Sequence, residues 1–195
     1  IFGWTGQTED LLQTDLDIAL SSGVQHISAY QLTIEEGTAF AKAKARGDVK
    51  AVDSDKSADF YDIVRDRLMA EGFDHYEVSN FAKNGCRSIH NMIYWQGGDY
   101  VGVGPGAHGR LTTGGARMAT VAHKTPVAYM KGVRDAGHGI AERERLSHED
   151  HASEYVLMGL RISGGLSLAQ YAQIAGAGLN PHALGSLIAN GLLTQ

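Results

Sequence analysis

The chain is poor in the residues that staple or stiffen a fold: its 195 positions hold one cysteine, Cys86, and three prolines. A single thiol forms no internal disulfide and builds no CxxC-type site, so cluster chemistry cannot be assembled from this chain's own side chains. No apolar stretch reaches the roughly 18 residues that a spanning helix requires, and no export signal is recognisable, so a cytoplasmic protein is expected. Long runs of like charge are missing as well. The 17 basic and 22 acidic residues give a net charge of -5, which argues against nucleic acid or an anionic membrane as the main partner. Internal repeats and low-complexity tracts are absent. Residue 1 is isoleucine, and IFG reads as the end of a buried strand, so a piece of a longer protein is expected.

What is present alternates. Thr8 reads as an N-cap, with Glu9 and Asp10 in the first turn, Leu12, Leu16, Ala19 and Leu20 at helical spacing, and Gly23 beyond the end. Residues 24–32 have the brevity and apolar content of a buried strand. A long connection leads to a helix over 54–71, with Phe60, Ile63, Val64 and Leu68 on one face. Strands follow over 73–81 and 100–103. Strand, helix, strand, helix, strand predicts a parallel α/β architecture, barrel or open sheet. Beyond Arg110 the pattern changes. Residues 114–122 suit a strand or hairpin partner, and helices are expected after the caps Thr125, Ser147, Ser167 and Asn180, with Pro126 and Pro181 at first helical positions. Short helices with glycine-rich turns suggest a helix-turn-helix or winged-helix module.

Two stretches concentrate chemistry. In IFGWTGQT, Gly3 and Gly6 follow a strand end and Thr8 opens a helix, the kind of loop at which parallel folds hold ligands. In HNMIYWQGGDYVGVGPGAHG, His90, Asn91, Tyr94 and Trp95 precede Gly97, Gly98, Gly102, Gly104 and Gly106, with His108 after them. Imidazole is a common axial ligand of heme iron and phenolate an occasional one, while indole packs on a flat macrocycle. Bare backbone beyond them would let a planar ligand approach. The competing reading is structural, with His90 and Asn91 satisfying backbone at a strand end and Tyr94 and Trp95 filling core. Glu77, Ser79 and Asn80 suit the same strand-end mouth or plain structural hydrogen bonds. Histidines 26, 75, 123, 138, 148, 151 and 182 lack such company and read as surface or capping residues. Cys86 reads as a bystander thiol.

IFGWTGQT, HISAYQLTIEEGTAF, YEVSNFAKNG, HNMIYW, GDYVGVGPGAHG and LMGLRISGGL, in that order, resemble the second half of the oxygen-independent coproporphyrinogen III oxidase-like radical SAM family, nearest to its heme-chaperone branch. The resemblance implies an α/β fold: the C-terminal half of a partial TIM-type barrel over residues 1–115, then a small, mainly helical, winged-helix-like domain over 116–195. It implies heme, or another tetrapyrrole, bound by His90, Asn91, Tyr94 and Trp95, with His90 a candidate ligand of the heme iron. It also implies S-adenosylmethionine contacts at Ile1 and Thr33, and a 4Fe-4S cluster whose three cysteines lie outside this sequence. Partners would be acceptor hemoproteins, and exposed barrel edges would favour a homodimer. The enzymatic alternative is oxidative decarboxylation of coproporphyrinogen III. Two departures stand out: Thr5 where the family usually has proline, and Ile89 where arginine or glutamine usually precedes HN. A nucleic-acid module is disfavoured because Arg161 is the one Lys or Arg among residues 147–195. Reconstitution of this chain with iron and sulfide is expected to give no broad cluster absorption, and such a band carried by the purified chain would refute that expectation.

Overall fold

Thr8 caps its helix as the sequence predicts: its hydroxyl accepts the Leu11 N–H, and α1 runs over Glu9–Ser21. The computed structural model describes residues 1–50 and 52–194. These fall into two compact units, Ile1–Ser88 and Ile89–Gln195.

In the first unit α1 is followed by β1 (His26–Ser28), α2 (Ala39–Arg46), α3 (Ser54–Ala70), β2 (Asp74–Glu77) and β3 (Asn80–Ala82). The stripe Phe60, Val64, Leu68 on α3 packs with Leu12 and Leu16 of α1 and with Phe2, Phe73 and Phe81 to form the core. Spacing by four puts the α3 residues on one face, where burial removes apolar area from water.

The expected parallel sheet is not what forms. The single strand expected over 73–81 is instead a hairpin, turned at Val78 and Ser79, whose second arm β3 lies between β1 and β2 and pairs antiparallel with both. A two-residue turn can join only antiparallel strands, whereas parallel ones need a crossover. Because β1 and β2 both oppose β3, they point the same way, so the predicted strand–helix–strand crossover through α3 persists one strand removed. Direct parallel pairing remains at Phe2 and Gln31, with α1 as the crossover. There the Phe2 N–H donates to the Tyr30 carbonyl at 2.9 Å and the Leu32 N–H to the Phe2 carbonyl at 2.7 Å.

The second unit holds α4 (Ile89–Trp95), β4 (His108–Thr113), β5 (Ala116–Ala122), α5 (Pro126–Ala136), β6 (Ile140–Arg145), α6 (His148–Gly159), α7 (Leu168–Ala175) and α8 (Pro181–Ala189). The three strands form an antiparallel sheet in the order β4-β5-β6. Thr125, Ser147, Ser167 and Asn180 each accept a first-turn N–H, as expected of caps. The strand expected over 100–103 reduces to one bridge, Tyr100 to Arg110. No helix among the described residues is long and apolar enough to cross a membrane.

Leu68 has no exposed surface, so Leu68→Ala removes packed methyl groups that its neighbours cannot fully replace. A loss of about 2–5 kcal/mol is expected. Urea unfolding of the variant checks this, and a cost below about 1 kcal/mol would contradict the described core.

Candidate functional site

The HNMIYW segment is a short helix, α4, rather than a strand end, and its pitch divides the motif. Residues 90 and 94 lie one turn apart on one face, and 91 and 95 on the next. His90 is exposed and Tyr94 half-buried, while Asn91 is half-buried and Trp95 is 8% exposed. The Tyr94 hydroxyl and His90 Nε2 are 2.5 Å apart, with the two rings edge-on at 4.7 Å. Tyr100 also meets the Tyr94 ring edge-on, at 4.3 Å. Burial holds the Tyr100 phenol above its ordinary value, so it stays protonated. The structure thus brings His90 and Tyr94 together on an accessible surface and turns Trp95 into the core.

The glycines after the motif end the helix. The Gly97 N–H donates to the Tyr94 carbonyl at 3.1 Å, and the Gly98 N–H to the Ile93 carbonyl at 2.7 Å. With Gly97 at φ 69°, this is the left-handed closure that glycine allows without strain. A Cβ on Gly97 would lie 2.9 Å from the Tyr155 ring. At Gly102 a Cβ would come within 2.4 Å of the His108 carbonyl oxygen. In these places the bare backbone admits protein neighbours, where the sequence reading expected a planar ligand.

Arg117 of β5 fixes this turn. Its guanidinium donates to the Gly98 carbonyl at 2.9 Å, to the Thr112 hydroxyl at 3.2 Å and to the Asp99 carboxylate. Asp99 also accepts the Thr112 N–H at 2.8 Å and its hydroxyl at 2.9 Å. Partial burial works against the Asp99 charge, but the Thr112 donors and Arg117 outweigh it and hold the carboxyl below its ordinary range. Arg110 and Glu154 form a second, partly buried pair at 3.0 Å. Nothing in the sequence reading singled out Asp99 or Arg117, since a lone aspartate after two glycines and an arginine within a strand carry no motif.

In the first unit, Ile1 and Thr33 are both exposed and flank the parallel bridge. Between them in sequence, Gln7 is wholly buried and organises the loop. Its Oε1 accepts the Gly3 N–H at 2.6 Å, its Nε2 donates to Asp15 at 3.0 Å, and its carbonyl accepts Lys56 Nζ at 3.0 Å. Thr5 ties the loop by donating its hydroxyl to the Lys50 carbonyl at 2.8 Å. Glu77 and Asn80 are almost fully buried. Asn80 donates to Glu77 at 2.6 Å and accepts from Ser28 at 2.7 Å, so their part is structural hydrogen bonding. Cys86 is exposed and donates to Gln25 at 2.8 Å. Among the described residues no group of three His, Cys, Asp or Glu side chains is arranged to hold a metal ion.

Known proteins resemble this chain in sequence and in fold. Residues 146–195 match the HemN C-terminal domain. The heme chaperone HemW of Mycobacterium tuberculosis is 41% identical over 170 residues, 87% of this chain and 43% of that protein. HemW of Bacillus subtilis is 34% identical, over 99% of this chain and 51% of its own length. The mitochondrial radical S-adenosyl methionine domain-containing protein 1 of Bos taurus is 40% identical over 87% of this chain and 38% of its own. The chain therefore spans about half, or less, of the relatives it matches. Among solved structures, Escherichia coli coproporphyrinogen III oxidase (HemN), a radical SAM enzyme, superposes with a TM-score of 0.68 over 90% of this chain and 42% of that one, at 16% identity.

Because the native Asp99 carboxyl is depressed, its ionised form stabilises the fold above the ordinary carboxylate range, and that stabilisation is lost as pH falls through the lower, native value. Asp99→Asn is expected to reduce stability at neutral pH and to flatten the loss as pH falls into and below the ordinary carboxylate range. Denaturation midpoints across that range test this, and an unchanged acid limb would count against it.

Proposed function

Since the chain belongs to the HemN/HemW-like radical SAM family, we propose that its protein binds heme and delivers it to acceptor hemoproteins, with His90 as the iron ligand. The observation that carries this reading is the outward His90–Tyr94 pair. A ligating histidine needs one ring nitrogen free and the other oriented by a hydrogen-bond partner. In the tautomer that donates Nε2–H to the Tyr94 oxygen, Nδ1 keeps its lone pair on an exposed residue, available to the iron of a heme. Tyr94 then acts by setting the tautomer, and Tyr100 by holding the Tyr94 ring. Heme supplies an open axial position for such an imidazole. The donor set fits heme better than it fits a cluster, because Cys86 alone cannot meet the thiolate requirement of a 4Fe-4S centre. Cluster and S-adenosylmethionine belong to the proposed whole protein, with Ile1 and Thr33 the candidate S-adenosylmethionine contacts from this chain, and its place would be the cytoplasm.

The chaperone reading is preferred to coproporphyrinogen oxidation because the relatives named as heme chaperones reach 33–41% identity over 87–99% of the chain, whereas the oxidase shares the fold at 16%. A heme titration followed by the absorption of the bound form tests it. His90→Ala is expected to abolish the imidazole-ligated spectrum. Tyr94→Phe, which keeps the ring and removes the tautomer control, should weaken binding by about 10- to 100-fold. Trp95→Phe should lower stability while leaving the spectrum of bound heme in place. Unchanged affinity in the His90→Ala, Tyr94→Phe double variant would end the proposal.

A further inference from the structure

A second feature of the unit Ile89–Gln195 is absorbed by nothing above. A cavity of about 200 Å³ opens where the ends of β5 and β6 meet the start of α6, and its lining includes Arg117, Arg145, Ser147, His148, His151 and Gln173. No carboxylate is among its lining residues. The backbone brings these groups together: the Leu146 N–H donates to the Arg117 carbonyl at 2.9 Å, and Arg145 pairs with Met118 across the sheet.

Three observations point to negative charge as the missing partner. The Arg117 side chain is 5% exposed, and its Nε–H is buried without an acceptor among the described residues. Such a donor costs free energy unless something pairs with it. Arg145 makes no ion pair in the described structure and is exposed at the cavity, so its charge is unspent. The twelve-residue α6 begins here, and its Ser147 cap takes up the Asp150 N–H at 3.0 Å. The N–H groups of His148 and Glu149 have no acceptor within the helix, and the positive end of the helix dipole is partly offset by Glu149 and by Asp150, whose carboxylate accepts the Ser147 hydroxyl at 2.6 Å. The surroundings of His151 agree. Burial first, then Arg117, with a further contribution from His148, disfavours its charged form against the opposing pull of Glu154 and Asp99.

We propose that this cavity is an oxyanion site, taking a carboxylate or phosphate group between Arg145, the two imidazoles and the first turn of α6, with Arg117 beneath. Arg117 and His151 also line the crevice beside Tyr94. One source of the anion is therefore a carboxylate side chain of the tetrapyrrole, a source that rests on the heme reading. The other is a free anion, which does not.

The test is a titration of the full chain with inorganic phosphate at constant ionic strength, followed through the imidazole resonances of His148 and His151. Both are expected to shift saturably, and Arg145→Gln is expected to weaken the effect at least about fivefold, the loss of one charge-assisted contact. Shifts that grow linearly with concentration, that chloride reproduces, or that Arg145→Gln leaves unaltered would overturn the site. His90→Ala is expected to leave phosphate binding intact, which separates this proposal from the iron-ligand assignment. Competition identifies the source. Displacement of phosphate by heme and not by its dimethyl ester supports the tetrapyrrole carboxylate, and displacement by neither supports the free anion.

Discussion

The guanidinium of Arg117 is the fixed point of residues 89–195. From the middle strand of the β4-β5-β6 sheet it reaches the Gly98 carbonyl and the Asp99 carboxylate. It thereby holds the turn that closes α4 and, through that turn, the direction in which His90 and Tyr94 project. Carbonyl, carboxylate and hydroxyl converge on its two terminal nitrogens and make its burial tolerable, while its Nε–H keeps no acceptor among the described residues. Tyr155 completes the clamp by packing where a Gly97 side chain would stand. The accessible face of the motif is thus a consequence of what happens beneath it.

Much of the local structure was legible in the sequence because it is decided within three or four residues. The caps at Thr8, Thr125, Ser147, Ser167 and Asn180 each satisfy a nearby N–H, a local event that needs no tertiary information. The core stripe of α3 was readable from its spacing. Topology was not. YEVSNF carries alternation enough for one strand, and nothing in its composition announces the turn at Val78 and Ser79 that inserts β3 between β1 and β2. Strand β6 was missed for another reason: IAERER is charged almost throughout and lies at a sheet edge, where both faces meet water and no apolar period is written.

The candidate site was legible as a stretch of sequence and not as a shape. Its residues include aromatics and a β-branched isoleucine, which have no strong helical preference, so the helix is specified largely by its exit at Gly97 and Gly98. Those glycines had been read as room for a ligand. The cavity beside α6 was invisible because its donors come from distant positions, 117 on a strand and 145 to 151 at a strand–helix junction, and the histidines among them bear no motif. The general constraint is that ligand-capable side chains announce themselves by type, whereas the groups that aim them do so only in space.

The division of HNMIYW by helical pitch separates two jobs that the letters run together. His90 and Tyr94 form a self-contained clasp, oriented by each other and edged by Tyr100, while Trp95 is an anchor in the interior. The clasp is therefore portable only with its setting: an imidazole and a phenol one turn apart on a foreign helix would reproduce the surface where that helix has its own anchor, a ring to edge the phenol and a braced exit turn, without importing the indole. The reverse transplant, indole alone, would carry over the seating of the helix and none of its grip.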